Sequence, residues 1–190
     1  MIYQATSSIP LEFLQCGSPK PMVDHFFISN LSVSNEEVLL QTPKCTSKGV
    51  SKVIDFVIPQ HQPFLNWIAS LEERVQQLIY EKRDIWFIED TVTMDDIRSS
   101  FVSILKPKGD MYTLRAHVHS PLVFNEAKLP IEETSIKETT PLIGLLHFVG
   151  IRFNQSMFQL VVHVKQLMAV TSSKCLIQYE ELLDIGDSKE

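Results

Sequence analysis

The sequence predicts a mainly β protein of the α+β class, a small antiparallel barrel with one long amphipathic helix between its third and fourth strands. Three observations predict it. Apolar stretches are short and are separated by clusters of Pro, Gly, Asn and Ser, the punctuation of turns between strands. One stretch departs from this rhythm, because Phe64, Ile68, Leu71, Val75 and Leu78 recur at the spacing of a single helix face. A chain of 190 residues with 44% hydrophobic and 21% charged content suits one globular domain with a substantial core. The expected organisation is an irregular arm over 1–20, one β domain over 21–170 and an acidic tail over 171–190.

Residues 1–20 hold two prolines and Gly17-Ser18, and predict an irregular arm with a short strand near 11–14. Residues 22–31 read as a strand, Ser32 to Asn35 as a turn, and 36–42 as the return strand. A third strand over 50–58 ends at Pro59. The helix is expected over 63–83, with Pro63 in the first turn, where its missing N–H would be unpaired anyway. Ile85-Trp86-Phe87-Ile88 then reads as an apolar anchor, and Thr93 as the N-cap of a short helix with Asp95 and Asp96 in its first turn. Residues 101–105 and 111–119 predict a hairpin whose turn is Lys106-Pro107-Lys108-Gly109-Asp110. A polar loop follows over 125–141, after a strand fragment near 122–124. A second hairpin spans 142–153 and 157–167 around Asn154-Gln155-Ser156, and Gly144 and Gly150 in its first arm predict a bulge or sharp bend. A helix between the third and fourth strands of a small barrel is the order of an OB-fold, and a β-sandwich with one helix is the alternative.

The formal net charge of −6 argues at first against nucleic acid as a partner. Its distribution weakens that argument: residues 176–190 carry a net −4 and residues 125–138 a net −2, so the rest of the chain is neutral. No apolar run approaches the roughly 20 residues that span a bilayer, and the first residues lack a basic patch followed by an apolar stretch. Cys16, Cys45 and Cys175 are odd in number and widely spaced, as reduced thiols of an intracellular compartment would be. A soluble intracellular protein without membrane contact is the expectation.

Catalytic motifs are missing: there is no GxSxG, P-loop, GxGxxG or HExxH pattern. A binding protein, with no metal or cofactor, is expected in place of an enzyme. The most suggestive polar stretch is Arg115-Ala116-His117-Val118-His119, which on a strand sends Arg115, His117 and His119 to one face. That face reads as a solvated sheet surface, as a nucleic-acid contact, or as a metal site; the last needs more ligands, and His163 joins only if its strand is adjacent. A metal-dependent enzyme built on His117 and His119 is the corresponding third hypothesis. Lys44, Lys48 and Lys52 fall within nine residues, and Lys106 and Lys108 flank Pro107, so both turns suit sequence-independent phosphate neutralisation. Tyr112, Phe148, Phe153 and Phe158 are candidate base-stacking rings. With Arg152 and Lys165 added, these lysines together with Tyr112, Arg115, His117 and Phe153 make the expected nucleic-acid surface. Ordinary surface lysines and core phenylalanines are the competing reading.

Gly150-Ile151-Arg152-Phe153, Phe158-Gln159-Leu160 and Val164-Lys165-Gln166-Leu167 carry a resemblance, together with Leu40-Gln41-Thr42-Pro43 and the helix with Phe64-Leu65 and Leu71-Glu72. Across most of residues 22–170 the chain resembles the single-stranded-DNA-binding-like protein family of nucleocytoplasmic large DNA viruses. The resemblance implies a phage-type OB barrel that binds single-stranded nucleic acid in replication or recombination. It also implies an acidic C-terminal tail that competes with DNA and docks replication partners. The tail at 176–190 has the right sign, but it ends Ser188-Lys189-Glu190 without an aromatic, and Leu182, Leu183 and Ile185 interrupt it, which suggests a docked helix. The expected place is a viral factory, host cytoplasm or nucleus. The alternative is a minor capsid or scaffold protein of the virion that makes protein–protein contacts; in either case an exposed barrel edge would permit a homo-oligomer.

Overall fold

The computed structural model describes residues 2–4, 10–48, 52–87 and 91–170. Side chains alternate between buried and exposed along the longer strands, so each strand gives one apolar face to a shared core. Before the long helix the strands are β1 (Ile2–Gln4), β2 (Leu14–Cys16), β3 (Lys20–Pro21), β4 (Phe27–Val33), β5 (Val38–Gln41), β6 (Thr46–Lys48) and β7 (Val53–Pro59). Three helices follow: α1 (Gln62–Glu81), α2 (Arg83–Trp86) and α3 (Met94–Ser100). The chain then returns to strands: β8 (Phe101–Val102), β9 (Leu105–Lys108), β10 (Met111–Phe124), β11 (Leu142–Phe153) and β12 (Phe158–Ala169). Among the described residues no helix is long and apolar enough to cross a membrane.

The strands form one mixed sheet in the order β1-β5-β11-β12-β10-β7-β6, with β4 on β11 beside β5. The fold class is the expected one, mainly β and OB-like, with the long helix between the early strands and the C-terminal ones. It is more open and more mixed than an antiparallel barrel. β10 and β12 run parallel, as do β1 and β5, and the strand path does not close on itself. A single bridge of two hydrogen bonds, 2.8 and 2.9 Å, ties Cys45, just before β6, to Leu142 at the start of β11. Partial openness of this kind is normal for the OB architecture.

α1 closes the core. His61 caps it through Nδ1, which accepts from the Phe64 N–H at 3.2 Å. The stripe Phe64, Ile68, Leu71, Val75 and Leu78 is buried, and Trp67 and Ile79 widen it. These side chains share one cluster with Ile54, Phe56 and Ile58 of β7 and with Leu114 of β10. Trp67 also meets the Phe148 ring of β11 at 5.6 Å. Thr93 caps α3 in a capping box with Asp96, as its sequence predicts.

Several elements differ from expectation. Residues 22–26 are not strand: Asp24 and His25 have φ of 59° and 58°, and Met22 N–H donates to Phe26 O at 2.7 Å, so the chain turns before β4 begins. Residues 11–13 form a short turn of 3-10 helix, with β2 after it. The expected hairpin of 101–105 with 111–119 is shifted. Phe101–Val102 pairs with β12 instead, and Lys106, Pro107 and Lys108 lie in β9 itself, leaving Gly109-Asp110 as the turn. Pro107 is tolerated there because among the described strands β9 pairs only with β10, so one edge needs no N–H donor. Cys16 and Cys45 are free thiols, and burial pushes the Cys45 thiol up to about 12, which leaves it unreactive. Cys175 and the acidic tail lie outside the described residues.

The bulge foreseen near Gly150 is present: the register between β11 and β12 slips between Phe148 and Gly150. β4 crosses so close there that a Cβ on Gly150 would strike the Ser29 carbonyl oxygen, a backbone atom that cannot swing aside. Gly150→Ala is therefore expected to lower stability by about 1–3 kcal/mol, the usual cost of overpacking, read as a fall in the urea midpoint at unchanged m-value.

Candidate nucleic-acid interface

The solvent side of the sheet is written by strand parity. On β7, on β10 as far as His119 and on β12 as far as Lys165 the odd-numbered positions point away from the core; past the β10–β12 register shift the parity reverses, and Val123 and Leu167 are buried. Registered pairing lines them up across strands: Lys48 opposite Asp55 opposite Arg115, and next to that row Val53, His117, His163 and His147. His163 does join His117, because β12 lies directly beside β10. Strands β10, β11 and β12 contain none of the chain's 23 Asp and Glu residues, yet they hold Arg115, Arg152, Lys165 and four of its six histidines.

Carboxylates reach this surface from neighbouring elements. Arg115 makes a two-pronged contact with Asp55 of β7, Nε to Oδ1 at 2.7 Å and Nη2 to Oδ2 at 2.8 Å. That guanidinium holds the Asp55 carboxyl below the usual carboxylate range. Lys165 Nζ donates to Glu37 Oε1 at 2.8 Å and likewise keeps Glu37 ionised at lower pH. His147 Nδ1 stands 3.8 Å from the same oxygen. Arg152 lays its guanidinium over the Phe26 ring at 4.4 Å. Lys48, Lys52, Lys106 and Lys108 are exposed and make no ion pair with another described residue.

The sequence-derived residues are only partly brought together. Lys48, Lys106, Lys108, Arg115, His117 and Lys165 share the outward surface around β10, whereas Lys52, whose carbonyl accepts from the Val118 N–H at 2.9 Å, is exposed opposite a residue of the inward parity. Lys44 is exposed beside the Cys45–Leu142 bridge, at the opposite end of β11 from Arg152. Tyr112 falls at the other parity, with Leu114 and Ala116, and is half-buried. Phe153 belongs to the core: it is 4% exposed and stacks on Trp86 at 5.0 Å and on Phe158 at 5.9 Å. Phe148 and Phe158 are buried as well, so none of these three rings is free to take a base.

The sequence-derived face holds Arg115, His117 and His119 but leaves off His163, whose ring sits against both histidine rings. The His163 ring lies 4.8 Å from His119 and 5.8 Å from His117. Burial, then the neighbouring His119 and His117, push the His163 pKa down to about 4, and His117 is lowered for the same reasons. The alternation in β12 already placed His163 outward; only the strand adjacency was missing. Among the described residues no group of three or more His, Cys, Asp or Glu side chains is placed to hold a metal ion.

No family model matches the chain, and neither does any curated protein. Solved structures do resemble it. The C-terminally truncated single-stranded DNA-binding protein from bacteriophage Enc34 is 9% identical at a TM-score of 0.44, covering 83% of this chain and 96% of that one. The same phage protein in complex with ssDNA is 9% identical at 0.42, covering 82% and 96%. The single-stranded DNA-binding protein gp2.5 of bacteriophage T7 is 10% identical at 0.49, covering 81% and 100%. The fold rests on the strand pairing described above and not on these likenesses.

The lowered His163 pKa fixes a sign for stability. Below about 6.5, the ordinary imidazole pKa, the unfolded chain binds a proton that folded His163 refuses, so stability falls as pH drops from there towards 4. His163→Gln is expected to flatten this decline relative to the unsubstituted protein, measured by urea unfolding at matched ionic strength across that range.

Proposed function

We propose that this chain binds single-stranded nucleic acid without sequence preference, along the outward surface of β9, β10 and β12. The observation that carries the reading is the absence of carboxylates from three adjacent central strands, in a chain whose net charge is −6. Cations from β6, β9, β10 and β12 frame that surface at spacings a flexible backbone can follow. The lysines supply charge without fixed geometry, which suits phosphates presented in any sequence. Stacking, where it occurs, falls to the exposed imidazole faces of His117 and His119, since the phenylalanines are in the core. Nothing in this arrangement calls for a catalytic step. The setting we infer from the resemblance of the C-terminal hairpin is replication or recombination in a large DNA virus.

A second reading, a virion or scaffold protein that works through protein contacts, is favoured by a different region. An apolar pocket of about 380 Å³ is lined by Ile2, Phe124, Ile143, Leu145 and Met168. Near it Ile2 remains 56% exposed, and Leu122 and Leu129 are 59% exposed. Recovery of the protein from purified capsid shells, without oligonucleotide binding, supports this second reading.

Fluorescence anisotropy with a labelled short oligothymidylate tests the first. Binding is expected to weaken steeply with salt. Lys106→Glu with Lys108→Glu should weaken it further and reduce the log–log salt slope by about 1.4, the value for two lost phosphate contacts on a single strand. Lys137→Glu, in the exposed 125–141 loop, should leave both quantities unchanged. No binding by the unsubstituted protein at low salt overturns the proposal.

A further inference from the structure

We propose that His117, His119 and His163 form a phosphodiester-binding cluster that takes up protons as nucleic acid binds, so that affinity rises as pH falls. This inference rests on the nucleic-acid reading above and gives that surface a regulatory property.

The three rings meet at the seam of two parallel strands, with His163 at the middle. Among the described residues the charged and titratable groups that act on His117 and His163 are all basic. Arg115 precedes His117 on β10, Lys165 follows His163 on β12, and β11 contributes His147 and Arg152. The two acids nearby are already engaged: Asp55 of β7 grips Arg115, and Glu37, before β5, grips Lys165 and faces His147. No described carboxylate contacts any of the three rings.

In the free protein, protonating His163 therefore places a charge 4.8 and 5.8 Å from its two neighbouring rings with no carboxylate counterion, and burial together with that repulsion holds His163 down at about 4 and lowers His117 as well. A phosphodiester supplies the missing counterion. Its own charge does not titrate near neutrality, so the proton comes from solvent and settles on imidazole nitrogen. The imidazolium then presents two N–H donors where neutral imidazole presents one. The proton returns to solvent when the strand leaves. Burial and mutual repulsion thus hold in reserve a positive charge that only a polyanion draws out.

The test is oligothymidylate binding at constant ionic strength from pH 5.5 to 7.5, since thymine does not titrate there. Isothermal calorimetry in two buffers of different ionisation heat counts the protons. Circular dichroism at each pH verifies the fold. The expected result is an affinity about tenfold higher at pH 5.5 than at 7.5, the effect of one linked imidazole held down at about 4 in the free protein and returned to its ordinary value of about 6.5 in the complex. Net proton uptake should accompany binding at pH 6.5. In His163→Gln the affinity ratio should fall below about threefold. The double variant His117→Gln with His119→Gln alters only exposed rings and should do the same, which keeps the test decisive if His163→Gln misfolds. Binding that is independent of pH, or a pH dependence equal in both variants, overturns this inference and leaves the nucleic-acid reading standing. Absence of binding at every pH overturns both.

Discussion

Everything at the proposed surface depends on β12 being paired along both edges. One edge joins β11 in antiparallel register and the other joins β10 in parallel register. This two-sided pairing fixes parity. Leu160, Val162 and Val164 enter the core with Phe148 and Phe56, and His163 faces out in the same row as His147 and His117, with Lys165 outward beside it at the register shift. A slip of one residue on either edge would exchange these sets and put imidazoles against the Trp67 and Phe64 side of the core. The irregularities are kept clear of the crucial row: the β11–β12 register shifts between Leu145 and Leu146 and again after Phe148, and the β10–β12 register only after Val118.

The electrostatics follow from that arrangement. An acidic chain carries three adjacent central strands free of acidic residues, because its net negative charge is concentrated in the 125–138 loop and the C-terminal segment. The surface is not strongly positive at rest. Asp55 and Glu37 each offset one cation, and burial and the neighbouring rings hold His163 at about 4. Such a surface avoids the self-repulsion of a fixed basic patch and still lines a phosphate path with donors.

How much of this was legible depended on the range of the interaction involved. Local signals read well. The stripe from Phe64 to Leu78, the Thr93 cap and the turn at Asn154, whose Oδ1 accepts from the Ser156 and Met157 N–H groups, are encoded within a few residues. Residues 22–26 misled because an apolar run looks the same whether extended or turned, and the left-handed Asp24 and His25 show only in three dimensions. Arg115 read as a free cation because its partner Asp55 is 60 residues away. Phe153 read as a stacking ring because nothing nearby in sequence announces Trp86 lying flat against it. His163 was one step from recognition: its outward parity was plain, but the parallel neighbour that gives it meaning is a long-range fact. The chain thus discloses faces and turns, and withholds which faces meet.

The double grip of β11 on β4 and β5 also says something about how the molecule comes into being. Gly150 to Phe153 pair with Phe27 to Asn30, and Leu145 to Phe148 pair with Val38 to Gln41, so early strands wait for partners roughly a hundred residues further on. During synthesis β4 and β5 leave the ribosome before the edge that completes them exists. Completion of the sheet therefore comes late, after the β11–β12 hairpin has emerged, with the slower rate that non-local topologies share. A nascent chain stopped before residue 142 lacks β11 and β12 altogether, and with them the centre of the sheet on which both ends converge.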